Sequence, residues 1–207
     1  MQDESMAGWL EALASSAPAP GGGAAAGVEV AIAAALVEMV CNLTIGKPAY
    51  AEHDAAMTAA RDRARTIRTE AVELVGEDEA AFSAVIAAYK LPRESDSERA
   101  ARSAAIQQAL TRAADVPRRT ARAAAESLGL GEAIVAGANP NVISDIAAAA
   151  ASARAALDTA RVNIEINAVS ITDPTLGAAL AAAVAEIATE LDRADRLVAT
   201  VRERLGS

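Results

Sequence analysis

Aromatic side chains are almost missing from this chain of 207 residues: Trp9, Tyr50, Phe82 and Tyr89 are all it has. Cysteine and histidine occur once each, as Cys41 and His53. A single cysteine excludes an internal disulfide, and one Cys with one His excludes a Cys/His zinc site. Positive charge is also short, with 19 Lys and Arg against 28 Asp and Glu and a net charge of −9. That balance argues against the basic face a nucleic-acid partner requires. The start, Met1-Gln2-Asp3-Glu4, is acidic and lacks the basic opening of a secretory signal. The segment 24–45 is long and apolar, but Glu29 and Glu38 interrupt it and alanine is only weakly hydrophobic, so a membrane span is not expected. A cytoplasmic protein without structural metal and without a membrane partner is the expectation.

What the chain does have is alanine, 58 residues of it, more than a quarter of the total. Alanine is the best helix former and a poor strand former, so an all-α fold is expected. Small side chains let helices approach closely but bury little area each, which makes a partner subunit a natural source of further burial. No Pro/Gly/Ser-rich linker follows the glycine run at 21–23, so residues 1–207 read as a single domain. Glycine, proline and polar breaks divide the chain into six helices of an antiparallel bundle, at about 3–15, 23–45, 50–89, 95–128, 139–171 and 174–205, with a loop at 129–137. The second is apolar nearly all round and should be the buried central helix. Its row Gly27, Ala31, Ala34, Glu38, Cys41 is mostly small, so another helix can approach there.

Three features break the pattern of a plain bundle. On the third helix the stripe Ile67, Ala71, Leu74, Asp78, Phe82, Val85, Tyr89 places a carboxylate in the middle of an apolar face. Such a group is costly unless paired, hydrogen-bonded or lining a cavity, so Asp78 reads equally as a structural contact or as a catalytic acid or base. On the fifth helix one face runs Asp145, Ala149, Ser152, Ala156, Thr159, Asn163, Asn167, Ser170, polar and small and almost uncharged. It faces either a ligand or another helix. Third, Pro18-Ala19-Pro20-Gly21-Gly22-Gly23 leads straight into the central helix, whose free N–H groups can then meet a ligand. His53 reads as an exposed helix residue and Cys41 as a small core residue.

Taken together these segments resemble the cyclodeaminase/cyclohydrolase family, which includes the C-terminal domain of formiminotransferase-cyclodeaminase and stand-alone methenyltetrahydrofolate cyclohydrolases. The matching pieces are Pro20 to Gly23, Met39 to Thr44 with Gly46-Lys47, Asp78 to Phe82, Lys90-Leu91-Pro92, Asn139-Pro140-Asn141 with Ser144-Asp145, and Asn163 to Asn167 followed by Asp173. Their order runs through nearly the whole chain. The resemblance implies an all-helical homodimer with a folate pocket near the subunit interface. It implies either hydrolysis of 5,10-methenyltetrahydrofolate to 10-formyltetrahydrofolate or cyclisation of 5-formiminotetrahydrofolate with loss of ammonia. Both need a proton acceptor and a proton donor and neither needs a metal or another cofactor.

On that resemblance Asp78 is expected to handle the proton, with Asp145 as the second carboxylate. Asn42, Asn163 and Asn167 are expected to hydrogen-bond the pterin, and Gly21, Gly22 and Gly23 to approach it with backbone N–H groups. Asn139, Asn141 and Ser144 belong to the same binding set, and Lys47 is expected to meet the glutamate tail. The hydrolase is preferred because no formiminotransferase segment is present in this sequence, although a separate formiminotransferase would supply the other substrate. The family usually has Ser where this chain has Ala24, often has Gly where it has Ala138, and has a neutral stretch where it has Glu29. Loss of the serine is expected to weaken a ligand hydrogen bond. These departures keep open a non-catalytic folate-binding or dimerising protein of the same fold.

Overall fold

A computed structural model describes residues 5–206. The expected start of the first helix at Asp3, and the acidic opening Met1 to Glu4, lie outside the described residues. Six α-helices and two 3-10 turns appear, with no strand among the described residues: α1 (Met6–Leu13), α2 (Gly22–Asn42), a turn Pro48–His53, α3 (Asp54–Tyr89), α4 (Asp96–Ile134), a turn Pro140–Val142, α5 (Ser144–Ala168) and α6 (Pro174–Leu205). Local chemistry sets the ends. Ser95 accepts from the Glu98 backbone N–H while the Glu98 side chain accepts from the Ser95 N–H, a reciprocal cap that starts α4. Asp173 accepts from the N–H groups of Thr175 and Leu176, with Pro174 in the first turn of α6.

The long helices pack antiparallel, and their cross-links show it. Arg63 meets Glu126, Arg119 meets Glu77 and Arg102 meets the Tyr89 carbonyl, so α3 and α4 run in opposite directions. Likewise, Gly22 lies against Thr159 while Thr44 bonds Asn139, so α2 runs against α5. At the α2–α3 crossing the small row is needed: a Cβ on Gly27 would stand 2.8 Å from Val75 Cγ2. The core is built on Val30, Val37 and Val40 of α2, Ile146, Leu157 and Ile164 of α5 and Leu180 of α6, all fully buried.

Several expectations are corrected. The segment 129–134 continues α4, because Gly131 sits where a Cβ would be 3.0 Å from Leu197 Cδ2 and α6 packs directly over it. Asn139-Pro140-Asn141 forms a 3-10 turn ahead of α5 and does not begin the helix itself. His53 ends a 3-10 turn, and its ring occupies the place a Cβ on Gly137 would take. Phe82 and Tyr89 are about half exposed, so the apolar stripe of α3 is fully buried only as far as Leu74, and beyond it Val85 is partly buried against Ile106, Ala109 and Leu110 of α4. Finally, α2 is not covered all round: Ile32, Met39 and Leu43 reach the surface.

Glu38 shows how the central helix tolerates a carboxylate. Its oxygens accept from Arg65 Nε at 2.9 Å and Arg68 Nε at 3.1 Å, both on α3. Burial opposes ionisation, but the two guanidinium groups outweigh it and hold the carboxyl below its ordinary range. A lowered native pKa stabilises the fold at neutral pH, and that contribution fades as pH falls through the native value. Glu38→Gln is expected to cost about 1–3 kcal/mol at neutral pH. Thermal unfolding should show the deficit shrink when both proteins are melted in acid.

Candidate functional site

The N-terminus of α2, the middle of α3 and the C-terminal half of α5 meet around a cavity of about 240 Å³. Its base is the glycine run Gly21 to Gly23, and Asp78 stands directly on it. A Cβ on Gly23 would overlap the Asp78 carboxylate, so only glycine lets the acid reach the helix end. There Asp78 accepts from the Ala24 backbone N–H, one of the donors that the first turn of α2 leaves free. Burial is the largest influence on Asp78 and pushes its pKa up, the Ala24 N–H pulls it down, and Glu79 pushes it up again; the net shift is upward. A carboxyl in this position exchanges a proton closer to neutrality than an exposed aspartate does.

Asn163 and Asn167 line the same cavity from α5. Asn163 donates through Nδ2 to the Thr159 carbonyl at 2.9 Å, and Asn167 donates through Nδ2 to the Ala113 carbonyl of α4 at 3.1 Å. Each amide nitrogen is thus committed to the scaffold, which fixes the amide orientation and leaves the Oδ1 atom as an acceptor. Phe82, Val85 and Ile166 supply apolar wall. The site presents two amide oxygens and a carboxyl beside apolar surface, which suits a flat, N–H-rich ring. Its volume is below the roughly 300–1,000 Å³ of pockets that enclose a drug-sized ligand, so it encloses only part of a large one.

The remaining expected site residues lie elsewhere. Asn139 is buried and structural in its contacts: its N–H donates to Thr44 Oγ1 at 3.2 Å, its Nδ2 to the Leu43 carbonyl at 3.1 Å, and its Oδ1 accepts from the Asn141 N–H. Asn42, Lys47, Asn141 and Ser144 are exposed around this joint, and Asp145 is half-buried in the first turn of α5. The whole group sits at the far end of α2 from the glycine run, about 30 Å away for a helix of that length. Within one chain the two carboxylates, Asp78 and Asp145, do not meet.

Sequence reading missed the cavity role of Phe82, which its spacing assigned to the core, and that of Ile166, which is two-thirds exposed. The signal was present: Val162, Ile166 and Val169 form a second apolar stripe on α5, off the core face. Ala24 needs a correction too. Its side chain is fully buried with Trp9, Val28 and Val75 and does not line the cavity, so a serine there would not face a ligand. Glu29 is half-buried on α2, with Oε2 lacking a hydrogen-bond partner and burial raising its pKa, and it too is outside the cavity.

A family model described as formiminotransferase-cyclodeaminase matches residues 5–186. A methenyltetrahydrofolate cyclohydrolase of Methylorubrum extorquens is 44% identical over 171 residues, covering 83% of this chain and 82% of that protein. The formimidoyltransferase-cyclodeaminase of Mus musculus is 29% identical over 171 residues, and the match spans only 32% of its length. The crystal structure of a formiminotetrahydrofolate cyclodeaminase from Thermotoga maritima superposes with a TM-score of 0.88 at 28% identity, covering 100% of this chain and 99% of that one. The chain belongs to the formiminotransferase-cyclodeaminase family.

The raised pKa of Asp78 has a consequence for stability. A carboxyl that holds its proton more tightly when folded loses stability as pH rises from the unfolded value through the native one. Asp78→Asn keeps an acceptor for the Ala24 N–H and removes the charge. It is expected to stabilise the fold at neutral pH by about 0.5–2 kcal/mol, the usual gain when a functional group under strain is relieved. Denaturant unfolding should show the gain vanish in acid, where wild-type Asp78 is also neutral.

Proposed function

We propose that this member of the family is a methenyltetrahydrofolate cyclohydrolase, with Asp78 as its acid–base group. The single observation that carries the assignment of Asp78 is its position, a half-buried carboxyl of raised pKa on a glycine-cleared helix end beside two fixed amide acceptors. The reaction opens a cationic ring carbon held between N5 and N10 of the folate. Water attacks that carbon, and Asp78 takes a proton from it as the C–O bond forms. Asp78 then returns the proton to N5 as the C–N5 bond breaks. The remaining hydroxyl proton leaves to solvent as the formyl C=O forms on N10. The balance is one substrate cation and one water giving neutral 10-formyl product and one released proton. The Oδ1 atoms of Asn163 and Asn167 accept pterin N–H groups, and Phe82 and Ile166 cover the ring faces.

The other half of the expected site reaches the cavity only from a second copy. Ile32 and Met39 of α2 with Leu43 just past its end, and Val162 and Ile166 of α5 with Val169 just past its end, leave apolar side chains exposed on two neighbouring antiparallel helices. A homodimer related by a two-fold axis across this face buries them. It also lays the Asn42, Lys47, Asn141, Ser144 and Asp145 end of one copy over the Asp78 cavity of the other. Asp145 then provides the second carboxylate in trans.

A cyclodeaminase is the second reading, favoured by the Thermotoga maritima neighbour, whose whole length this chain covers. It uses the same groups: Asp78 takes the N10 proton as N10 attacks the formimino carbon, and an acid protonates the departing ammonia. A separate formiminotransferase would supply that substrate.

Loss of methenyltetrahydrofolate absorbance, followed with and without protein, distinguishes the readings: acceleration supports the hydrolase, and ammonia release from formiminotetrahydrofolate alone supports the second. Asp78→Asn is expected to lower kcat by about 10²–10⁴-fold. The acid limb of the wild-type pH–rate profile should lie above the ordinary aspartate range. Shared sites have their own signature. Asp78→Asn and Asp145→Asn chains, each inactive, should regain about a quarter of wild-type activity when unfolded together and refolded, because half of the dimers are mixed and each has one intact site. No recovery would refute the trans arrangement.

A further inference from the structure

A second, larger cleft adjoins the cavity just described and has no role in the chemistry. It measures about 530 Å³ and lies between α3 and α4 near the start of α6. Ala81 borders both spaces, and Glu77 in the cleft is the chain neighbour of Asp78 in the cavity. The α3 wall is small and apolar, made by Ala80, Ala81 and Ala84, with Leu176 closing one side. Opposite stand Arg112, Arg118 and Arg119 of α4 with one carboxylate, Asp115, among them, so with Glu77 the cleft keeps an excess of one positive charge. Arg119 is spent on a forked pair with Glu77. Arg112 and Arg118, by contrast, make no hydrogen bond or ion pair among the described residues.

Two uncommitted guanidinium groups over an alanine floor are unusual in a protein of net charge −9. Such a protein repels an anion at long range, and beyond about 10 Å salt screens what attraction it offers, so an anionic ligand must be held by local cations. A folate is a ligand of that kind. Its reacting ring is followed by an aromatic aminobenzoyl group and then by a glutamate with two carboxylates. The cavity at Asp78 is too small for all of it. Cavity and cleft flank the same stretch of α3 on adjacent faces and share Ala81, so a ligand that overfills the cavity meets the cleft across Ala81.

We infer that the Arg112–Arg118 cleft is the subsite for the glutamyl end of the substrate, with the aminobenzoyl ring lying over Ala81 and Ala84. This rests on the folate reading above. Guanidinium groups suit carboxylates because they offer paired N–H donors in one plane. Lys47, the cation expected from sequence to meet the tail, lies at the other end of α2. Within one chain the two arginines are the nearer cations, and Lys47 reaches the cavity only from the second copy of the homodimer proposed above.

The test compares two substrates on one protein: 5,10-methenyltetrahydrofolate and the matching methenyltetrahydropteroate, which lacks the glutamate. The wild type is expected to prefer the glutamyl compound in kcat/KM by about a hundredfold, roughly tenfold for each arginine–carboxylate contact. In the Arg112→Gln, Arg118→Gln chain that preference should collapse to near one. The Arg112→Lys, Arg118→Lys chain, which keeps the charge but loses the fork, should retain part of it. Arg119 is left in place because its pair with Glu77 joins α3 to α4. If the wild type prefers the glutamyl compound and the glutamine variant does so equally, the subsite is elsewhere and the folate reading stands. A wild type that turns over both compounds equally also overturns the inference. A wild type that accepts neither overturns the hydrolase reading; the same comparison with 5-formiminotetrahydrofolate and its pteroate then decides, and equal turnover of the two or none overturns this inference.

Discussion

Everything distinctive about this bundle follows from one contact, the Asp78 carboxyl resting on the first turn of α2. A helix start offers free N–H groups and a partial positive charge, and a carboxylate normally meets it as a cap from the preceding loop. Here the acid comes from the middle of another helix, and it can approach only because Gly23 has no side chain. Two opposing effects then act on one group. Burial raises its pKa, while the Ala24 N–H lowers it and keeps an ionised form accessible. An acid–base group needs both forms within reach, and neither effect alone provides that.

The alanine content serves the same end. A helix can bring a carboxyl onto another helix's N-terminus only if their backbones pass closely, and α2 and α3 do so at Gly27 against Ala71 and Val75. Larger residues there would lift α3 away and strand Asp78 short of its donor. Packing this small buries little area per residue, and the molecule retains exposed apolar stripes on α2 and α5. The arrangement that builds the site leaves a face that invites a second copy. Catalytic geometry and association are linked in this fold through the size of its side chains.

Much of this was legible in the sequence, and the reason is periodicity. Asp78 stood out because a 3.6-residue repeat has a definite inside, and a carboxyl on it demands an explanation. Asn163 and Asn167 stood out because their face was polar without being charged. Both signals survived in the structure, where the three residues share one cavity with the glycine run. The group Asn42, Asn139, Ser144 and Asp145 was equally visible as a motif, but its distance from Asp78 was not, since periodicity carries no information about which ends of which helices meet. Phe82 failed for a different reason. Its spacing fits the core stripe, yet α2 begins at Gly22 and does not extend over Phe82, while Val85 and Ala88 pack against α4 on another side. Continuation of α4 through Gly129 and Gly131 was hidden because glycine marks helix ends locally, whereas here the demand comes from Leu197 of α6.

Position 24 shows why direction matters more than proximity in sequence. Residues 23 and 24 are consecutive, but a helix turns about 100° between them, so they face different neighbours. Gly23 faces Asp78, whereas Ala24 offers the site only its backbone N–H and directs its methyl into the cluster of Trp9, Val28 and Val75. A hydroxyl at this place would enter an apolar pocket in which Trp9 Nε1 is already buried without a partner. The serine usual in the family at this position therefore bears on how α1 is fastened to α2. The backbone donor that Asp78 uses is the same for either residue. Replacing serine by alanine leaves the acid, its donor and its glycine clearance as they are, and the substitution is compatible with an intact site.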